Sequence, residues 1–346
     1  MKIGSTLAAA AAALLLAGPA GGWKVVPLLS YSTSSGVLLG GVVNHNMVPP
    51  FSPFAFSTMA YVYTDGSVSA GPQMLIPSGN GVFHAGLNYL ADRKNRFYGW
   101  GNAGSDETYG EYSAETAEAT GSYSFRPLEC FLLSLGASCR HSTVYDRTGE
   151  DLWAQAPSRR YGSAWTAGPF LMARVSIPGP PACYMAGEAG VQTDGEDVYT
   201  DTEVSSAVFV PIGPSTVTGL RIRLGRHTGS GSTPFSFLPS LGGSSGLRGY
   251  GDGRFTGDWT LLANLELRQR LFCIRLEEAG SLEFSVVLFG DAGQVADNLG
   301  GMGWDRFHMD GGMGFRMSLP EGGALRADFA LSPEGLGIQM GLGELF

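Results

Sequence analysis

Charge is scarce in this sequence. Only 15% of its 346 residues are charged, and 22 Lys and Arg stand against 31 Asp and Glu, for a net charge of −9. A clustered basic face is the footprint of a nucleic-acid binder, so no nucleic-acid partner is expected. Histidine is also rare: His45, His84, His141, His227 and His308 are dispersed, and none sits in a motif. No Gly-x-Ser-x-Gly elbow stands between a strand and a helix, and glycine-rich stretches such as 299–303 precede no helix that would cradle a phosphate. The sequence therefore gives no catalytic residue, no metal site and no cofactor, and the expectation is that this is not an enzyme. The four cysteines, Cys130, Cys139, Cys183 and Cys273, fit no zinc spacing. Free thiols and a disulfide formed in an oxidising compartment both fit them. Beyond the N-terminus there is no long apolar run and no heptad, so no transmembrane helix is expected.

What is present begins with a targeting segment. Lys2 precedes an uninterrupted apolar run from Leu7 to Ala17, and Gly18-Pro19-Ala20 supplies small residues for cleavage after Ala20. The run is shorter than the ~20 residues of a spanning helix, so residues 1–20 read as a secretory signal peptide. Residues 21–346 are left for the mature protein, with little room for a second domain.

The remainder is organised with a period of two. Segments of about ten residues alternate in polarity and are separated by turn-forming residues such as Pro77-Ser78-Gly79-Asn80-Gly81 and Pro178-Gly179-Pro180-Pro181. One such segment means little, but a long series of them is the signature of a membrane barrel. About sixteen can be placed, among them 82–92, 113–125, 129–140, 204–211, 259–272 and 282–291. The connections sort by length. Long polar ones (about 93–112, 142–162, 227–258 and 292–308) fall at odd positions, while even positions carry short turns rich in Pro and Gly. The fold class expected is all-β: a transmembrane antiparallel barrel with short periplasmic turns and long external loops. Closure is required because a lipid-exposed edge would leave backbone groups unpaired.

Parity assigns the faces. In the final segment Leu336, Ile338, Met340, Leu342 and Phe346 share one parity and are expected to face lipid, with Met340, Leu342 and Phe346 as a C-terminal barrel signal. Gly337, Gln339, Gly341 and Gly343 then face inward. In the segment from Trp259, Leu261, Ala263, Leu265 and Leu267 oppose Asn264, Glu266 and Arg268, and the polar set is expected in the lumen. Tyr61, Tyr63, Tyr89, Tyr184 and Trp259 lie near strand ends, where an interfacial girdle and simple scatter fit equally.

One stretch stands apart. Leu238 to Phe255 is dominated by glycine and serine, with Gly242-Gly243 followed by Leu247-Arg248-Gly249-Tyr250. Then come Asn264-Leu265-Glu266-Leu267-Arg268, Phe289-Gly290-Asp291-Ala292-Gly293-Gln294 and a final Gly341-Leu342-Gly343-Glu344-Leu345-Phe346. In this order, over roughly residues 235–346, these elements resemble the C-terminal barrel of the BamA/TamA superfamily, the bacterial surface antigen family. The resemblance implies that Arg248 sits at the tip of a loop folded back into the lumen and pairs there with Glu266 and Asp291. Gly249 and Tyr250 would let the tip turn and pack, and Gly242 and Gly243 would mark the descent. The charge argument points the same way, since a lumenal Arg must find acids. A solvated external loop is the alternative.

The assembly members of that superfamily carry periplasmic POTRA domains ahead of the barrel, and no such segment is read here. The resemblance implies an accessory part in inserting or translocating proteins, or moving lipid, at the outer membrane of a Gram-negative bacterium. Outer-membrane lipid and a POTRA-bearing or other periplasmic protein would be its partners. A passive channel or surface barrel that kept the fold without the activity is the second reading.

Overall fold

The structure is a computed structural model that describes residues 23–33, 35–46, 55–155, 161–229, 234–244, 246–276, 280–318, 324–342 and 345–346. The signal peptide read at 1–20 lies outside them.

Eleven strands come first: β1 (Trp23–Ser32), β2 (Gly36–Asn46), β3 (Ala55–Tyr63), β4 (Val68–Ser78), β5 (Gly81–Phe97), β6 (Gly110–Leu128), β7 (Phe131–Tyr145), β8 (Ser163–Ile177), β9 (Ala182–Thr193), β10 (Val198–Gly213) and β11 (Thr216–Thr228). A loop follows that carries a small ribbon, β12 (Ser240–Leu241) against β13 (Phe255–Thr256). Then come β14 (Trp259–Leu276), β15 (Gly280–Ala296), β16 (His308–Ser318), β17 (Ala324–Ser332) and β18 (Gly335–Leu342). Apart from the ribbon, all strands pair antiparallel with their neighbours, and β18 meets β1 to close a sixteen-stranded barrel. Closure removes the free edges that lipid could not satisfy.

Alternation explains the two faces. Along β14, Leu265 and Leu267 are exposed outward while Leu262, Asn264 and Glu266 are buried inward. β18 behaves likewise, with Leu336 and Met340 outward and Gly337 and Gln339 inward. Leu265 is 52% exposed near the middle of an apolar outward row. Leu265→Arg should cost ~2–4 kcal/mol at the bilayer midplane, read as a lowered urea midpoint for the protein folded in lipid vesicles. An unchanged midpoint would place this face outside the bilayer.

Several strands run further than their apolar alternation suggests. β5 continues to Phe97, β7 to Tyr145 and β15 to Ala296, and β10 begins at Val198. These extensions lie at the end bearing the long loops. Backbone pairing persists there after the outward residues cease to be apolar, as in Arg96 opposite Glu111. The β7–β8 loop also carries a short helix, Glu150–Gln155. Tyr61 is 6% exposed and belongs to the interior, not to a surface girdle, whereas Tyr89 lies outward. All four cysteines are free thiols.

The closing seam differs from the other ladders. β14 and β15 register from Trp259 opposite Ala296 to Leu276 opposite Gly280. Among the described residues, β1 and β18 register at Ser32 opposite Gln339 alone. Side chains supplement the seam: Ser30 Oγ donates to Met340 O at 2.7 Å, and Ile338 N–H donates to Thr33 Oγ1 at 3.3 Å. Thr33 N–H donates to Ile338 O at 3.2 Å.

Candidate functional site: a loop anchored in the barrel lumen

The loop between β11 and β14 turns back into the barrel. Its turns depend on glycine at two places in particular. Gly242 and Gly243 have φ of 121° and 76°, and a Cβ on Gly242 would lie 2.1 Å from the carbonyl oxygen of Gly251. Only glycine takes such a backbone without strain. Leu241, Leu247, Tyr250 and Phe255 then pack on Leu262 and Val295 of the wall, forming an apolar plug beside the charged tip. Tyr250 donates its hydroxyl to Met309 O at 3.2 Å.

Arg248 is wholly buried, as are Glu266 and Asp328, and Asp291 nearly so. Its Nε and Nη2 donate to the two oxygens of Asp291 at 2.7 and 2.8 Å. Its Nη1 donates to Glu266 Oε1 at 2.7 Å and reaches Asp328 Oδ2 at 3.5 Å. The guanidinium also lies 3.4 Å from the ring centroid of Phe289, a cation–π arrangement. Burial by itself works against the charge. The hydrogen bonds to Asp291 and the charges of Asp291, Glu266 and Asp328 outweigh it, so the pKa of Arg248 is raised.

The acids have further partners on the wall. Glu266 Oε2 accepts from Arg268 Nε at 2.8 Å. Asp328 Oδ1 accepts from Arg316 at 2.6 Å, and Arg326 lies 3.8 Å from its other oxygen. Asn264 donates to Asp291 at 2.7 Å and to Gly246 O of the loop at 3.1 Å. Four guanidinium groups thus interleave with three carboxylates. That is the arrangement burial demands, because an uncompensated charge there is costly.

The tip fits closely. Gly249 lies against Asp310 and Ser332, where a Cβ would come within 2.8 and 3.0 Å of their Cβ atoms. Ser332 Oγ donates to Gly249 O at 2.8 Å. Gly337 of β18 leaves room for the tip, since a Cβ there would be 2.5 Å from the carbonyl oxygen of Arg248. Further out, Arg254 binds Glu334 in the β17–β18 turn at 2.8 Å. Phe235 sits among Phe97, Trp153 and Leu238 in an aromatic cluster where the long loops meet.

The structure therefore brings together Arg248, Gly249, Tyr250, Glu266 and Asp291, with Gly242 and Gly243 at the loop's turns. Asp328, Arg316 and Arg326 were not singled out from sequence, although parity held the signal: in β17, Arg326 and Asp328 alternate with the outward Leu325, Phe329 and Leu331. Met340 faces outward as expected. Leu342 pairs with Leu325, and its side chain lies outside the described residues. Phe346 departs from the expectation that it faces lipid. Its ring stacks on Phe209 at 5.6 Å beside Gly219, inside the barrel, and its carbonyl oxygen accepts from Arg268 at 3.1 Å. Parity fails here because Leu345 and Phe346 lie outside any strand.

Residues 183–346, which hold every residue of this lumenal network, match the Omp85 superfamily domain model. Over these residues the chain is similar to the Omp85 superfamily domain. In fold the chain is similar to BamA from Haemophilus ducreyi, solved without POTRA domains 1–3, with a TM-score of 0.63 at 15% identity over 92% of this chain and 70% of that one. It is similar to CdiB from Escherichia coli with a TM-score of 0.68 at 12% identity over 94% of this chain. The chain spans about 63% of CdiB's length. At these identities the likeness is one of fold. No curated protein matches the sequence significantly.

Proposed function

We propose that this Omp85-type barrel takes an accessory part in inserting or translocating proteins, or moving lipid, at the outer membrane of a Gram-negative bacterium. Periplasmic recruitment would come from a separate partner bearing POTRA or similar domains, and outer-membrane lipid would be its surroundings. The reading is not an enzymatic one. The observation that carries it is the placement of the Arg248 tip against Gly337 of β18, next to a seam registered at Ser32 and Gln339. A loop held there can bias whether the last strand stays paired. Gly335, Gly337 and Gly341 weaken β18 further, since glycine lowers strand stability.

A second reading is supported by the filled lumen: a surface barrel or narrow channel that kept the fold. The two part in a quantitative outer-membrane proteome taken after depletion, with rescue by wild-type protein or by Arg248→Ala. Assembly predicts a defined set of barrels or lipoproteins that falls and that Arg248→Ala, present at wild-type level, fails to restore. An unchanged proteome on depletion removes the assembly reading. The channel reading then predicts that purified Arg248→Ala conducts more than wild type in planar bilayers.

A further inference from the structure

Arg326 is buried with too few acceptors. It is 3% exposed, and its Nη2 donates to Ser244 O of the lumenal loop at 2.6 Å. Its Nε and Nη1 are also buried, and neither has a hydrogen-bond acceptor among the described residues. Asp328 Oδ2 stands 3.8 Å from Nη1, beyond hydrogen-bond reach. Asp328 is itself shared, since it accepts from Arg316 at 2.6 Å and lies 3.5 Å from Arg248. Arg316 stands directly opposite Arg326 in the β16–β17 ladder, and like charges so placed repel. Gln339, opposite Asp328 on β18, is 1% exposed, and its Nε2 likewise has no acceptor among the described residues. The charges are uneven in the same place. Arg248, Arg268, Arg316 and Arg326 face Glu266, Asp291 and Asp328, which leaves one positive charge in excess. Asp310 does not balance it, because it lies six residues along β16 from Arg316, roughly 20 Å at the rise of an extended strand. A water molecule would satisfy the orphaned donors and leave the charge; an anion answers both.

We propose that Arg326 and Gln339, with Arg316 opposite, form a lumenal binding site for a phosphate group. The open donors lie on two nitrogens of one guanidinium and on an amide of the next strand. They call for an anion with oxygens in several directions, which a tetrahedral phosphate has and a planar carboxylate lacks. Its charge cancels the excess. Free phosphate and the phosphodiester of a lipid headgroup share this chemistry. Both have a route to the site. Arg326 is the third residue of β17, close to the end of the barrel that carries the short turns, and Gln339 is the residue of β18 registered with Ser32 at the seam.

The test uses the full barrel in maltoside micelles, which contain no phosphorus, at fixed ionic strength. Two probes are titrated separately and followed by phosphorus NMR line width: inorganic phosphate, and the short-chain lipid dihexanoyl phosphatidylglycerol. Wild type should broaden at least one of them. Arg326→Gln removes the central donor and should weaken binding at least ~tenfold. Gln339→Glu replaces one amide nitrogen by oxygen and sets a carboxylate where the anion would sit, so it should exclude both probes. Heat-modifiable migration on gels selects folded variants, and Gln339→Glu suffices if Arg326→Gln fails to fold. Broadening of inorganic phosphate supports a free anion as the ligand, and broadening of the lipid alone supports a headgroup. If wild type broadens neither probe, or if a folded variant binds as tightly as wild type, the proposal is overturned and the orphaned donors are left to water. The assay is independent of the assembly reading, which an unchanged proteome would remove while leaving phosphate binding standing.

Discussion

Arg248→Ala should release the β11–β14 loop from the wall and make it sensitive to protease in the folded barrel. The substitution removes the hydrogen bonds to Asp291 and Glu266 and the contact with Asp328. Glu266 keeps Arg268, and Asp328 keeps Arg316. Asp291 loses its bidentate partner and retains Asn264, so the uncompensated charge falls chiefly there. Breaking a buried pair in this way costs ~3–5 kcal/mol, which exceeds what the remaining contacts of the tip can offset. Once the tip leaves, water enters the lumen and solvates the acids, and conductance should rise. Arg248→Lys should be intermediate, since an ammonium keeps the charge but loses the fork that grips both oxygens of Asp291. Limited proteolysis of the three proteins in micelles, with single-channel recording, decides it. A loop as protected in Arg248→Ala as in wild type would mean that the apolar plug of Leu241, Leu247 and Phe255 holds it without the ion pairs.

Gly337→Leu should dislodge the same tip while every charge stays in place. The new Cβ would sit 2.5 Å from the carbonyl oxygen of Arg248 and 3.1 Å from Gly249 Cα. Both are backbone atoms, so no rotamer relieves the clash, and either the tip or β18 must move. Overpacking of this kind costs ~1–3 kcal/mol. Because β18 is held to β1 at few points, strand displacement is one outlet, and the seam should open more readily. Disulfide trapping between cysteines placed at Ser32 and Gln339 reads the seam, and proteolysis reads the tip. Gly290→Ala is the control, since its Cβ would meet nothing closer than 3.9 Å and should change neither. If Gly337→Leu leaves both readouts at the wild-type level, the contact between tip and last strand carries no weight.

The barrel could be read from sequence because its cause is local. Alternation fixes which residues face lipid, and one slip would invert a whole strand, so Leu265 and Glu266 were assigned to opposite faces without any knowledge of the neighbours. Strand ends were less legible, as at Phe97 and Tyr145, because pairing continues where the apolar signal stops. The site divides in the same way. Arg248, Glu266 and Asp291 stand in motifs whose order resembles a family, whereas Asp328, Arg316 and Arg326 carry no motif and are joined to the others only by curvature of the closed sheet. Phe346 was misplaced because parity describes a strand, and its neighbours Phe209, Gly219 and Arg221 come from distant positions that no local pattern connects to it.

The order of Arg248 and its partners along the chain has a kinetic consequence. Glu266, Asp291 and Asp328 lie 18, 43 and 80 residues after it, on three successively later elements, β14, β15 and β17. Each added contact closes a larger loop, and that entropy is spent before the contact forms. The tip therefore meets Glu266, Asp291 and the apolar wall on β14 and β15 first, and its receptor is complete only when β17 adds Asp328. A fully paired Arg248, with Asp328 in contact, is in that sense a timestamp: it marks chains in which β17 is already in place.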